Sequence, residues 1–163
     1  MALAEKLVPD ANPDTQYLEL LQLVERLHRQ LLDVVKDELD RDNLDDLNSV
    51  QALLLFNIGD QELTAGELRT RGHYLGSNVS YNLKKLVDAG YIRHERSAVD
   101  RRAVRVSLTE RGTAVCAKLS ALFERQGTSL SPVGGVDADS LPAVNTALTR
   151  IERFWADHIR FRM

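Results

Sequence analysis

Between Arg93 and Gly112 the chain reads RHERSAVDRRAVRVSLTERG, with Arg93, Arg96, Arg101, Arg102 and Arg105 gathered around a single aspartate, Asp100. A guanidinium stays charged at any physiological pH and offers only donors in a planar fork, so its natural chemistry is to grip carboxylates and phosphates. A second chemically legible set lies just before it. Ser77, Asn78, Ser80, Tyr81, Lys84 and Lys85 fall on one side of a helix whose other side carries Val79, Leu83, Leu86 and Val87. Hydroxyls and an amide can hydrogen-bond base edges or phosphates, lysines neutralise phosphate charge, and the first turn of a helix presents unpaired N–H groups to an anion. The bland reading of the same face is an ordinary solvated helix surface.

The surrounding pattern supplies elements that could hold these groups. Tyr17, Leu20, Leu21, Val24, Leu27, Leu31, Val34 and Val35 recur at three- and four-residue spacing and predict a long amphipathic helix from Thr15 to about Asp40. A buried helix follows, starting at Asn48 or Ser49, with Ser49 as its cap and Gly59 as its stop. Thr64 and Glu67 have capping-box spacing and predict a short helix. The helix bearing Lys84 and Lys85 opens at Ser77 or Asn78 and stops at Gly90. The period then switches: Tyr91 to Glu95 moves from apolar to polar, and Ala103 to Leu108 alternates, which predicts a hairpin with the arginines on its loop. Thr109 opens a helix that carries Val115, Leu119, Leu122 and Phe123 and stops near Gly127. After an irregular stretch, Asp139 or Ser140 caps a last helix with Val144, Leu148, Ile151, Trp155 and Ile159 on one stripe, joined by Phe154 and Phe161.

Composition narrows the function classes. The net charge of −3 conceals about −9 up to Ala65, about +5 from Gly66 to Gly112 and about +1 thereafter, so a polyanion would meet the middle of the chain. Cys116 is the only cysteine, which excludes an intrachain disulfide and a cysteine-cluster zinc site. It shares a helix face with Leu119 and Phe123, the setting of a buried, inert thiol. No two of the four histidines lie at ligand spacing on one element, and no phosphate-binding glycine loop, HExxH motif or nucleophile elbow occurs. No cofactor or metal is expected, and no enzyme. The longest purely apolar run, Ala52 to Phe56, is too short for a membrane span or a signal-peptide core, so no membrane partner and a cytoplasmic location are expected.

Helix, helix and hairpin in that order describe a winged helix-turn-helix. The stretch from Tyr91 to Gly112 resembles the wing and following helix start of MarR-type transcriptional regulators, whose pattern is Asp-x-Arg, a short alternating strand and Leu-Thr-x-x-Gly. Asp100, Arg102, Leu108, Thr109 and Gly112 match in register. By helix order and length the resemblance extends over nearly the whole chain. It departs at Asn82, where the family often has an apolar residue, and at Tyr81, where it often has arginine or another polar residue.

The resemblance implies a mainly α fold with a small β-hairpin wing, flanked by N- and C-terminal dimerisation helices. It divides the chain into a flexible tail (1–14), a dimerisation helix and loop (15–47), a winged helix-turn-helix lobe (48–112) and C-terminal helices of the dimerisation region (113–163). It further implies a homodimer on a pseudo-palindromic double-stranded DNA site, most often a repressor, and in many members release by a small aromatic or anionic effector. The DNA-binding set is then Ser77, Asn78, Ser80, Tyr81, Lys84, Lys85, Arg96, Arg101 and Arg102. Arg102 is the residue expected in the minor groove. Asp100 supports the wing by pairing with Arg96 or Arg101. A rival reading keeps the same fold and makes Tyr81 and the wing contacts for a protein partner.

Overall fold

The computed structural model describes residues 12–72, 76–96, 98–99 and 104–162. The expectations that concern the tail before Asn12, and those placed on Asp100, Arg101 and Arg102, lie outside the described residues. The chain separates into two compact units, one running to Leu119 and the other starting at Ser120.

In the first unit α1 (Pro13–Arg41) begins earlier than the expected Thr15. The Asn12 side chain accepts the Asp14 N–H at 3.1 Å, and Pro13 occupies a first-turn position where no N–H is needed. Helix α2 (Ser49–Ile58) is capped by Asn48: its side chain accepts the Gln51 N–H at 2.8 Å while the Gln51 side chain accepts the Asn48 N–H at 3.1 Å. Ser49 instead donates its hydroxyl to the Leu32 carbonyl at 2.7 Å, which ties α2 to α1. Ala52, Leu54, Leu55 and Ile58 of α2 are buried, and at about 2 kcal/mol for each large side chain they are a major part of this unit's core.

Strand β1 (Leu63–Thr64) is a departure from the sequence expectation, which had only a hairpin. Leu63 pairs with Val106, giving a three-stranded antiparallel sheet of order β1-β3-β2. Helix α3 (Ala65–Gly72) starts with the expected capping box, the Thr64 N–H on Glu67 at 2.8 Å and the Glu67 N–H on Thr64 Oγ1 at 3.1 Å. Helix α4 (Gly76–Asp88) contains both Ser77 and Asn78, neither of which caps it from outside as expected. Strands β2 (Ile92–Arg96) and β3 (Val104–Leu108) pair with His94 opposite Val106 and Arg96 opposite Val104. Val35, Leu39, Leu68, Val79, Leu86, Tyr91, Ile92, Val106, Val115 and Leu119 are also in the core of this unit.

Helix α5 (Glu110–Leu130) crosses the boundary between the units and continues past Gly127, where a stop was expected. One interior glycine costs only about 1 kcal/mol relative to alanine, too little to end a long helix. In the second unit a short 3-10 turn (Ala138–Ser140) is capped by Asp137, whose side chain accepts the Asp139 N–H at 3.0 Å. Ser140, one of the two expected caps of the last helix, holds that helix's N-cap position but makes no side-chain capping bond. The turn leads into α6 (Leu141–Phe161), with Pro142 in its first turn. No residue of α6 is buried. Val144, Leu148, Phe154, Ile159 and Phe161 are exposed in the single chain, as are Tyr17, Leu18, Leu23, Leu27 and Leu31 of α1.

Candidate nucleic-acid interface

Helix α4 is oriented by what it buries. Val79 and Leu86 are almost fully enclosed and Leu83 nearly so, which turns Asn78, Ser80, Tyr81, Lys84 and Lys85 outward together. Tyr81 is 61 % exposed, and the Lys85 ammonium sits 5.7 Å from its ring centroid, within reach of a weak cation–π attraction. Ser77 belongs to the same first turn, and its side chain lies outside the described set. Ser80 and Lys84, together with Leu83 and Val87 of the apolar side, share a cleft of about 330 Å³ with His94, Val104 and Val106, so the Ser80–Lys84 edge of the outward face adjoins the wing strands. Arg96 is exposed at the loop end of β2.

Two further wing arginines among the described residues, Arg93 and Arg105, have carboxylate neighbours. Arg93 Nε lies 3.9 Å from the Glu95 carboxylate, and Arg105 Nη1 lies 3.5 Å from that of Glu62. Exposed pairs of this kind are worth little in stability, yet they place a negative charge beside each cation. Asn82 is not part of the outer face. It is buried, and its side-chain oxygen accepts the Gln51 amide N–H at 3.3 Å. The position where the family often has an apolar residue is therefore filled by a polar group satisfied from α2.

The Leu-Thr-x-x-Gly segment has a structural explanation. Thr109 donates its hydroxyl to the Gly90 carbonyl at 2.6 Å, accepts the Gly112 N–H at 3.3 Å, and donates its own N–H to the Tyr91 carbonyl at 3.1 Å. A Cβ on Gly112 would stand 2.2 Å from that Tyr91 carbonyl oxygen, so only glycine permits the approach. Arg111 is likewise taken up internally. Its guanidinium lies 4.3 Å from the Tyr91 ring centroid, and its Nη2 is 2.8 Å from Asp46, which also accepts the Tyr91 hydroxyl at 2.7 Å. The Tyr91 hydroxyl is pushed up to about 12, first by burial and then by its bond to Asp46. The Asp46 carboxyl is held below its ordinary range, chiefly by that same bond and further by the charge of Arg111. This cluster was missed in the sequence because its members are widely separated. The Asn48–Gln51 capping box was missed too, with Ser49 expected as the cap, although its three-residue spacing is the same as that of Thr64–Glu67.

Cys116 is half-buried rather than buried, and loss of hydration, aided by the charge of Asp60, raises its thiol above the ordinary value. That keeps it protonated and weakly nucleophilic near neutral pH. Among the described residues no group of three or more His, Cys, Asp or Glu could hold a metal ion. None of the described helices is long and apolar enough to cross a membrane.

Residues 45–103 match the MarR family. The exopolysaccharide II synthesis transcriptional activator ExpG of Rhizobium meliloti (strain 1021) is 37 % identical over 145 residues, covering 89 % of this chain and 74 % of the relative. A mutant MarR from E. coli, solved in complex with operator DNA, has a TM-score of 0.67 at 20 % identity over 86 % of this chain and 99 % of its own. Bordetella bronchiseptica BpsR, solved to explain regulation of its DNA binding by 6-hydroxynicotinic acid, has a TM-score of 0.66 at 18 % identity over 82 % of this chain and 98 % of its own. At these identities the two structures show a shared fold.

Proposed function

The chain belongs to the MarR family of transcriptional regulators, and on that premise we propose that it binds double-stranded DNA sequence-specifically as a homodimer at a pseudo-palindromic promoter site. The observation that carries the proposal is the outward face of α4, where Asn78, Ser80, Tyr81, Lys84 and Lys85 stand together and Ser80 and Lys84 adjoin the wing strands. In this reading α4 enters a major groove with the N-terminal half of its face toward base edges, while Lys84 and Lys85 meet phosphates. Arg96, Arg101 and Arg102 extend the contact along the wing. Arg102 enters the minor groove and Asp100 holds the loop in shape.

Support for a dimer comes from the apolar stripes of α1 and α6, which a single chain leaves exposed. A small aromatic or anionic effector would act by favouring a subunit arrangement that cannot span two grooves, and the BpsR structure supports that class of effector. The sign of regulation has two readings. The family resemblance suggests a repressor, whereas the name of the relative at 37 % identity favours an activator. Nothing in the comparisons favours the protein-binding module. A gel-shift experiment with mixed genomic fragments and excess random DNA tests the proposal: retention of a discrete subset supports it, and equal retention of all fragments, or of none, refutes it.

A further inference from the structure

Ala89, Gly90 and Tyr91 carry the chain from the end of α4 into β2, and all three of their carbonyls are held by donors from the start of α5. Arg111 donates to the first, the Thr109 hydroxyl to the second and the Thr109 N–H to the third. Arg111 is itself fixed by Asp46, in the loop that follows α1, and Asp46 also receives the hydroxyl of the buried Tyr91. Nearby, Lys118 of α5 reaches Asp42 at the end of α1 at 2.6 Å, so loop and helix are joined at two points. The Arg111 and Asp46 side chains are 52 % and 44 % exposed, which makes their attraction a weak source of stability. What the arrangement does supply is geometry, because a planar guanidinium bonded to a carboxylate and a carbonyl and stacked on a ring has little freedom left.

We propose that Asp46 and Arg111 are positioning residues that set the angle of α4 against α1, and through it the separation between the two half-sites that a dimer can span. The inference rests on the DNA-reading proposal above. Without this pair the C-terminal end of α4 rocks against α1. Each α4 still reads its own half-site, but the fixed distance between half-sites is lost.

The test compares full-length wild type with Asp46→Asn, which keeps an acceptor for Tyr91 and removes the charge, and with Arg111→Lys, which keeps the charge and removes the planar fork. Amide hydrogen exchange on the free protein is the first readout. The Ala89, Gly90 and Tyr91 amides bond to Lys85, Val87 and Leu86 and so report the end of α4 directly. They should exchange at least about tenfold faster in both variants, with α2 unchanged. Binding to synthetic sites whose half-sites are moved apart by one base pair is the second. Wild type should lose about tenfold or more in affinity and the variants no more than about threefold, with the preference among half-site sequences unaltered. Folded variants with wild-type exchange, or with the wild-type spacing penalty, would overturn the inference. A wild type without any sequence preference would instead sink the DNA reading, and the exchange readout would still decide whether the pair positions α4.

Discussion

Single residues divide the proposed interface into two kinds of contact. Lys84 is exposed on α4 beside the wing and offers a compact charge, so Lys84→Ala should weaken cognate and random DNA alike and reduce the salt dependence by about one counterion. Arg102, identified by its place in Asp-x-Arg, should behave differently: Arg102→Ala should cost about 1–3 kcal/mol of cognate affinity and relax preference for A·T pairs beside the half-site, with little change in thermal stability. Fluorescence anisotropy at fixed salt, paired with thermal melts, separates the two, and identical profiles would contradict the division. Tyr91 gives a pH signature. Its folded value of about 12 lies above the unfolded 10.0, so its contribution is complete below pH 10 and is lost as pH rises toward 12. The loss should be on the order of 2–3 kcal/mol, read as a fall in denaturant midpoint that Tyr91→Phe lacks. Asp46 works at the other end: its folded value is depressed, so its contribution holds above the ordinary carboxylate range and fades as pH falls through the folded value.

Among the elements, those with strong periodicity were legible in the sequence and those defined by a distant partner were not. The α4 stripe of Val79, Leu83, Leu86 and Val87 and the alternation of Val104 to Leu108 each had enough repeats to specify a face. Strand β1 is only Leu63 and Thr64, too short for any period, and exists because β3 offers it an edge. The outer face of α4 followed from its apolar face, but the burial of Asn82 did not, since it depends on Gln51 lying across from it on α2. Asn82→Leu should leave the Gln51 amide without its acceptor and lower stability by about 1–3 kcal/mol. Gln51→Leu also removes the acceptor of the Asn48 N–H in the α2 cap. The double variant should lose less than the sum of the two single losses rather than return to wild type, because with both polar groups gone neither is left unpaired across the contact. Urea unfolding of the single and double variants measures this, and additive losses would show that the pair is not coupled. The wing loop was readable only as a motif, and its aspartate and two arginines, Asp100, Arg101 and Arg102, lie outside the described residues.

For the whole molecule, the two long apolar stripes are the feature that a single chain does not explain. In α6 no residue is buried, and Leu148, Phe154 and Ile159 face solvent, as do Tyr17, Leu23 and Leu27 of α1. A second copy is the proposed cover, and replacing Leu148 and Ile151 with glutamate should yield a monomer that retains the folded first unit but loses cooperative DNA binding. Sedimentation velocity at micromolar concentration checks it, and a wild type that sediments as a monomer would refute the dimer. The most direct test of the central claim, that this MarR-family chain reads DNA as a symmetric pair, is selection of genomic fragments by the purified protein at fixed salt followed by sequencing. The predicted result is an enriched inverted repeat whose half-sites are about one helical turn apart, roughly 10 base pairs. Enrichment without a repeat, or no enrichment over random DNA, would contradict it.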